Sequence, residues 1–280
     1  SSVLEFLIRR FPGITPNVWL QRIRDGKVLW DDSTPITEDS AYMPQRRILY
    51  YREVEQEPSI PGNETILYQD GNLLVADKPH FLPVIPNGIY VNQCLLYRLR
   101  ERTGIDDLTP IHRIDRWTAG VVVFATNPKT RSQYHGMFSQ GRVTKLYHGV
   151  ARIPPSLNQE TSQLPREWLV ENRLVKGNPR FRMVVGSGGI NARSRIECIA
   201  IRNDIGLFHL HPLTGKTHQL RLHMSGLGMP LLNERYYPEL QPKSPDDFDH
   251  PLQLLAKQLQ FVDPITCRKM CFSSSRELAW

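Results

Sequence analysis

The feature that most constrains the fold is the uninterrupted run VVVFAT at residues 121–126. Three successive valines, with no polar residue before Thr126, predict a strand whose two faces are both buried. A second strong signal is ILYQDGNLLVADKP at residues 66–79, where two apolar runs are joined through Asp-Gly-Asn and predict a β-hairpin. The doubly buried strand must therefore lie inside a sheet that is covered on both sides.

The other strand signals follow one another closely along the chain. VTKLYHGVAR (143–152) alternates between apolar and polar positions, and IECIAI (196–201) and GLFHLHPL (206–213) predict two more strands. The segment LLAKQLQFVDP (254–264) leads into the last one. No internal repeat is present.

Two helices are predicted between these strands. One begins with Asn127 as its cap and Pro128 at its first position, and it ends before Gly141. The other covers THQLRLHMSGLG (217–228), which has glycine stops. Because strands outnumber helices and are mostly consecutive, we expect an α+β fold with a mixed, largely antiparallel central sheet and flanking helices.

A small helix-rich module is predicted at the N-terminus. SVLEFLIRRF (2–11) has an apolar stripe at helical spacing, and a second helix has Thr15 as N-cap, Pro16 at its first position and Gly26 as its stop. RRILYYREV (46–54) then alternates as a strand.

The acidic, turn-rich segment EQEPSIPGN (55–63) predicts a linker between two domains, residues 1–58 and 64–280. Of the formal net charge of +7, almost nothing belongs to the first domain, where eight Lys and Arg face nine Asp and Glu. The remainder carries 27 basic against 19 acidic residues, and the stretch 173–195 holds six basic residues and no acid. The larger domain is therefore expected to meet a polyanionic partner, although a generic basic surface is the alternative.

Several classes of protein are disfavoured by the sequence. No stretch approaches the ~20 apolar residues that cross a bilayer, and the first residues have no apolar core of a signal peptide. The cysteine pair in CRKMC has three residues between its members and no second pair accompanies it, so we expect reduced cysteines, no zinc and a cytoplasmic location. The sequence gives no indication of oligomeric state.

The histidines and the Gly-Lys-Thr motif also argue against a metal or a nucleotide cofactor. His218 and His223 are five positions apart, which is not the spacing that places two ligands on one helical face. His112, His209 and His211 are expected to be packing or polar-rim residues rather than ligands. A phosphate loop requires a glycine at position 210, which is leucine here.

Three side chains are candidates for chemistry, and each has an ordinary alternative. Asp115 is either a loop carboxylate paired with Arg113 or Arg116, or a working group kept ionised by its neighbours. Tyr147 is either half-buried core or part of a site. Arg221 is either a solvated residue on a surface helix or points towards a site, because its helical face differs from the apolar one.

Five blocks of the chain, in order, resemble the RluA-type RNA pseudouridine synthases over about residues 64–275. They are LLVADKPHFLPV, HRIDRWTAG, TKLYHGV, HPLTGKTHQLRLH and LLAKQLQFVDP. Inside them Trp117, Ala119 and Lys216 depart from the residues usual in the family. Residues 1–58 resemble a degenerate form of the small RNA-binding module named after a small-subunit ribosomal protein, without its usual Gly-Asp before the last strand.

The resemblance implies a pseudouridine synthase fold with a catalytic cleft, and isomerisation of uridine in structured ribosomal or transfer RNA without a cofactor. It implies that Asp115 attacks carbon 1′ of the ribose or removes its 2′ proton, and that Arg221 pairs with Asp115. Tyr147 would stack on the base and assist proton removal at carbon 5. The residues expected to contact the substrate are His112, Arg113, Arg116, Thr118, Lys216, Thr217, His218, Leu220, Arg180 and Arg182.

Two other functions compete with this interpretation. One is an RNA-binding protein that has lost catalysis, which the degenerate first module favours and the intact Asp115, Tyr147 and Arg221 disfavour. The other is a glycoside hydrolase, which needs a second catalytic carboxylate that the matched blocks do not obviously supply.

Overall fold

In the computed structural model, which describes residues 1–51, 57–155 and 164–280, the chain divides into two units, Ser1–Gln56 and Glu57–Trp280. Parts of the predicted strand at 46–54 and of the predicted linker at 55–63 lie outside the described residues. Within the described ranges, no helix is both long and apolar enough to cross a membrane.

The described residues of the first unit form two helices and a two-stranded antiparallel sheet. The two helices agree with the apolar stripe and the capping residues, whereas the strand Val28–Trp30 was not predicted. Ser2 caps the first helix by accepting a hydrogen bond from the amide of Glu5, whose carboxylate accepts one from the amide of Ser2. The second helix begins at its proline and ends just before Gly26, which has a φ of +66°. The elements are α1 (Val3–Arg10), α2 (Pro16–Arg24), β1 (Val28–Trp30) and β2 (Ile48–Tyr50).

The described part of the second unit contains three helices and twelve strands. The helices are α3 (Leu95–Thr103), α4 (Arg131–Ser139) and α5 (Gln219–Gly226). The strands are β3 (Thr65–Gln69), β4 (Leu73–Lys78), β5 (Thr109–Pro110), β6 (Ala119–Ala125), β7 (Val143–Arg152), β8 (Arg166–Asn172), β9 (Leu174–Lys176), β10 (Met183–Val185), β11 (Ala192–Arg202), β12 (Ile205–Pro212), β13 (Leu254–Val262) and β14 (Lys269–Ser273).

Ten of these strands form one mixed sheet in which β6 and β13 are the only parallel pair among the described residues. The order is β3-β4-β6-β13-β7-β12-β11-β8, with β5 beside β6 and β14 beside β13, and all the other pairs are antiparallel. β9 and β10 form a separate hairpin. The predicted mixed, largely antiparallel sheet with flanking helices is confirmed.

The β6 strand is buried along its whole length, as the run of valines predicts. Val122 and Phe124 pack with α3 on one side, while Val121 and Val123 pack with α4 on the other. Where β6 and β13 run parallel, their backbones meet at Gly120, which has a φ of +114°. A Cβ at this position would lie 2.2 Å from a backbone oxygen of β13, so only glycine fits.

One predicted helix starts later than expected, and one helix was missed. The helix after β6 begins at Arg131, not at Pro128, because the side chain of Asn127 accepts a hydrogen bond from the amide of Lys129 and closes a turn there. Helix α3 was not predicted: its N-cap is Cys94, whose side chain makes no capping hydrogen bond, so the usual start signal is missing.

Candidate active site

The loop that carries Asp115 connects β5 to β6, and two side chains from the end of β4 hold its backbone. The ammonium group of Lys78, which is fully buried, donates to the carbonyl of Arg116 over 3.1 Å. Nδ1 of His80 lies 2.6 Å from the carbonyl of Trp117. These two contacts fix the backbone just after Asp115, so its carboxylate extends from a constrained loop.

Arg221, from the first turns of α5, pairs with two carboxylates at once. Its Nη1 donates to Oδ2 of Asp115 over 3.3 Å. Its Nε donates to Oε2 of Glu234 over 2.7 Å, and its Nη2 donates to the other oxygen of the same carboxylate. The side chains of Arg221 and Glu234 are each only 2% exposed, whereas that of Asp115 is 25% exposed. Glu234 therefore fixes the buried side of the Arg221 guanidinium, and the other side contacts Asp115, which is accessible from the cleft.

The surroundings keep Arg221 charged. Burial acts to lower its pKa, but the hydrogen bonds and negative charges of Glu234 and Asp115 outweigh burial and raise the pKa above its usual value. The guanidinium carbon also lies 4.8 Å from the ring centroid of Tyr236 and 5.3 Å from that of Trp117, which adds cation–π attraction. The alternative of a solvated arginine on a surface helix is wrong.

His218 lies on the other side of the Asp115 carboxylate. Its Nε2 is 3.7 Å from Oδ1 of Asp115, and its Nδ1 is 2.9 Å from the hydroxyl of Tyr237. The backbone of His218 is left-handed, with a φ of +53°, and it forms the N-cap of α5. Burial lowers its pKa, despite the opposing effect of Asp115, so the imidazole is neutral at neutral pH. Asp115 thus has a permanent cation at one oxygen and a neutral ring near the other.

Tyr147 comes from the middle of β7 and lines the same cleft as Asp115. Burial and the negative charge of Asp115 raise the pKa of its hydroxyl, so the side chain is a neutral phenol at neutral pH. The apolar base of the cleft includes Leu220 and Leu254, which are 6% and 3% exposed. An aromatic ring and an apolar floor therefore lie around the carboxylate.

The cleft has a volume of about 940 Å³ and opens to solvent. Twelve of the thirteen residues selected from the sequence line it: Asp115, Tyr147, Arg221, His112, Arg113, Arg116, Thr118, Lys216, Thr217, His218, Leu220 and Arg180. Lys145 and Lys176, which were not selected, line it as well. Arg113, Arg180 and Lys176 are exposed, so their positive charges face solvent and can meet phosphate groups.

Arg182 is the thirteenth selected residue, and it does not line the cleft. Its guanidinium donates to the carbonyl of Pro238 and lies 5.3 Å from the ring centroid of Tyr237. It therefore ties the β9–β10 hairpin to the segment after α5. The prediction that Arg180 and Arg182 form one phosphate-binding pair needs correction, because only Arg180 is exposed in the cleft.

Two other selected residues have partners that the sequence did not suggest. Arg116 pairs with Asp246 and lies over the ring of Tyr90 at 4.9 Å. The ion pairs described for Asp115 and Arg116 thus have different partners, and the alternative that Asp115 is a loop carboxylate tied to Arg116 is wrong. His112 accepts a hydrogen bond from the amide of Val123, and burial lowers its pKa to about 3, so this ring in the wall of the cleft is neutral and held by β6.

Glu234 and Lys78 are the important site residues that the sequence analysis missed. Glu234 lies outside the five blocks, and its partner Arg221 is itself 106 positions from Asp115, so no local spacing links the three. Lys78 lies in a matched block, but its neighbours in the sequence indicate only the polar end of a strand. Only the fold shows that its side chain is fully buried against backbone carbonyls.

The four cysteines are free in the structure, and Cys267 and Cys271 are exposed. Among the described residues, the group that could hold a metal ion is Glu197, His209 and His211. These three side chains do not line the cleft.

Comparison with known proteins connects this geometry to a family. A family described as RNA pseudouridylate synthase matches residues 72–226, a span that contains Asp115, Tyr147 and Arg221. The dual-specificity RNA pseudouridine synthase RluA of Haemophilus influenzae is 29% identical over 232 residues, which cover 80% of this chain and 98% of that protein. The tRNA pseudouridine synthase C of Vibrio parahaemolyticus is 27% identical over 233 residues, covering 79% of this chain and 93% of that protein.

A solved structure shows the same architecture. The human RNA pseudouridylate synthase domain containing 4 superposes with a TM-score of 0.57 at 25% identity, covering 76% of this chain and 88% of that one. The predicted fold is confirmed by this similarity and by the mixed sheet described above.

Proposed function

The chain belongs to the RNA pseudouridylate synthase family and resembles its RluA-type members, and we propose that Asp115 initiates the isomerisation of a uridine in structured ribosomal or transfer RNA. As an isomerase of this family, it converts uridine in RNA to pseudouridine. The single observation that supports the proposed role of Asp115 is its pairing with the buried Arg221 in a cleft lined by cationic side chains.

The reaction breaks the bond between ribose carbon 1′ and base nitrogen 1, and it rejoins the same carbon to carbon 5 of the uracil. It therefore involves no net redox change and no net hydrolysis. The Asp115 carboxylate either attacks carbon 1′ or removes the 2′ proton, and both routes require the charged form. Arg221 donates a hydrogen bond to the carboxylate and limits its rotation, since the position of Arg221 is itself fixed by Glu234.

Tyr147 provides a ring on which the detached uracil stacks while it turns. Because the pKa of its hydroxyl is raised, Tyr147 enters the reaction as a neutral phenol. It therefore takes part in proton removal at carbon 5 as a relay rather than as a preformed tyrosinate: its oxygen accepts the carbon-5 proton while its own proton passes to a water molecule of the solvent-open cleft. Leu220 and Leu254 limit the access of water, which would otherwise capture the sugar and release the base.

The target uridine has to leave the RNA stack before it reaches Asp115, at a cost of a few kcal/mol. The exposed residues Arg113, Arg180 and Lys176 are placed to bind the phosphates on either side of the extruded nucleotide. Binding of this kind weakens steeply with salt, because each neutralised phosphate releases counterions.

The competing functions make different use of the same residues. A glycoside hydrolase needs a second working carboxylate, but both oxygens of Glu234 accept hydrogen bonds from Arg221, and one also accepts the amide of Tyr236. A non-catalytic RNA-binding protein would not require the buried Arg221 to face an accessible carboxylate.

Release of tritium from RNA labelled at carbon 5 of its uridines tests the proposed function. The synthase must release tritium while the RNA keeps its base, whereas a hydrolase would leave an abasic site. An RNA-binding protein would give neither product. Absence of release from both ribosomal and transfer RNA substrates would contradict the proposal.

A further inference from the structure

A cluster of imidazole and carboxylate groups lies on the face of the sheet that points away from Tyr147. His148 follows Tyr147 on β7, so its side chain is directed to the opposite face. His148 is paired with His209 on β12, and His209 is paired with Glu197 on β11. His211 lies two positions after His209, on the same face. Three neighbouring strands thus bring four potential ligands together.

The geometry of this histidine–glutamate cluster is compact. One ligand atom from each of Glu197, His209 and His211 lies within 4.8 Å of the others, and the three residues are neither fully exposed nor fully buried. Oε2 of Glu197 is 3.8 Å from Nε2 of His211. The rings of His148 and His209 are stacked, with centroids 4.9 Å apart and an angle of 16° between their planes.

We propose that Glu197, His209 and His211 form a binding site for Zn²⁺ or a similar divalent transition-metal ion. Two imidazoles and one carboxylate are a ligand set that zinc accepts, with bond lengths of about 2.0–2.2 Å. Two ligand atoms of one tetrahedral ion lie about 3.3–3.5 Å apart, so the ligand atoms of the cluster, now within 4.8 Å of one another, have to approach by side-chain rotation when an ion binds. Water or His148 completes the coordination. This proposal differs from the expectation that His209 and His211 are packing or polar-rim residues rather than ligands.

The strand that carries Glu197 is irregular beside the cluster. A β-bulge between Cys198 and Ala200, immediately after Glu197, changes the local direction of the strand.

Charged neighbours act in both directions. Arg195 donates to Oε1 of Glu197 over 2.9 Å and competes with a metal for that oxygen, while Oε2 faces His211. Glu167 is paired with Glu197 on the next strand and adds negative charge. Near His148, the opposite charges of Lys257 and Glu277 are paired with each other over 2.7 Å.

Occupancy would join β11 to β12 and would stabilise the native sheet, because the unfolded chain does not hold these ligands together. The site is on the opposite face from the catalytic cleft. Metal binding should therefore raise thermal stability without being required for isomerisation.

The test uses the full 280-residue chain without a polyhistidine tag, treated with a chelator and titrated with Zn²⁺ at neutral pH by calorimetry. One equivalent is expected to bind and to raise the Tm, and Co²⁺ is expected to give the visible absorption of a site with nitrogen ligands. His211→Asn and Glu197→Gln should each weaken Zn²⁺ binding by about tenfold or more. His250→Asn, at an exposed loop histidine, is the matched control and should change nothing.

Metal-free circular dichroism of each variant separates loss of ligands from loss of fold. Glu197→Gln retains an acceptor for Arg195 and serves if His211→Asn does not fold. A wild-type Kd weaker than about 1 mM would overturn the proposal. Binding that is equally strong in the folded His211→Asn and Glu197→Gln variants would also overturn it.

Discussion

At the scale of single residues, one buried cation determines the arrangement of the site. Arg221 carries one positive charge and contacts two carboxylates, so the group of Asp115, Arg221 and Glu234 has a net negative charge. The carboxylate of Glu234 is buried and receives two hydrogen bonds from Arg221, while that of Asp115 receives one and is accessible. We propose that Glu234 is a positioning residue and that Asp115 is the one that faces substrate.

Glu234→Gln tests this division. The substitution leaves the guanidinium of Arg221 buried with the charge of Asp115 alone, and removal of one partner from a buried ion pair costs about 3–5 kcal/mol. We expect urea unfolding to show a loss of that order, together with a lower kcat at nearly unchanged KM.

Glu239→Gln is the control, because Glu239 lies five positions further along the chain and is exposed. Its effect on the free energy of unfolding should stay within ~0.5 kcal/mol. If the two variants were equally stable, Glu234 would not hold Arg221.

At the scale of secondary-structure elements, the segment that connects β9 to β10 places its two arginines in different environments. Arg180 is exposed in the cleft, whereas Arg182 is half-buried against Pro238 and Tyr237. In an extended strand, side chains two positions apart point to the same face. Here the backbone turns between Arg180 and Arg182, so their side chains point to different places. A basic stretch in a sequence is therefore not one binding surface.

Arg180→Gln and Arg182→Gln should consequently have different effects. The first should reduce the slope of log affinity against log salt by about one unit and leave the Tm unchanged. The second should leave the slope unchanged and lower the Tm, because it removes the contacts with the segment after α5. Equal slopes for the two variants, measured by RNA binding at several salt concentrations, would contradict the assignment.

Features that depend on neighbouring residues could be predicted from the sequence, whereas features that depend on contacts of the folded chain could not. Strands such as β6 and β7 and the stop at Gly26 depend on local patterns, and they could be predicted. The start of α4 depends on the side chain of Asn127, which closes a turn instead of capping the helix, and this choice is not visible in the spacing. The pairing of Arg221 with Glu234 depends on a contact that only the folded chain creates.

At the scale of the whole molecule, the second unit contains every described residue of the cleft and most of the positive charge. Glu57, its first residue, accepts hydrogen bonds from the amides of Val91, Asn92 and Gln93, which precede α3. A fragment that contains the second unit should therefore begin at Glu57. It remains a prediction that residues 1–58 form a degenerate RNA-binding module.

We predict that residues 57–280 fold alone and bind RNA with an affinity close to that of the full chain. The reason is that residues 1–58 are nearly neutral and contribute few phosphate contacts. Circular dichroism and filter binding at fixed salt measure the two properties. A folded fragment that had lost its affinity for RNA would place the binding surface in the first unit.

The buried histidines predict how stability depends on pH. Burial lowers the pKa of His112 to about 3 and the pKa values of His80 and His223 to about 4. Imidazoles of an unfolded chain titrate near pH ~6.5, so below that pH the unfolded state binds more protons than the native state. The contribution of these histidines to the free energy of unfolding is fully present above that pH. It falls as the pH decreases towards 4, by up to ~1.4 kcal/mol per pH unit for each histidine.

Urea unfolding at neutral pH and near pH ~5 measures this effect. A greater free energy of unfolding at the lower pH would contradict the assignment of these rings as buried and neutral.

The central claim is that Asp115 is the group that acts on the ribose, and Asp115→Asn tests it most directly. The substitution retains the size of the side chain and an oxygen for Arg221, and it removes only the charge that both chemical routes need. Single-turnover formation of pseudouridine should fall to background while the protein stays folded and binds RNA as tightly as before or slightly more tightly. Turnover within about tenfold of the wild type, a barrier change of only ~1.4 kcal/mol, would contradict the account.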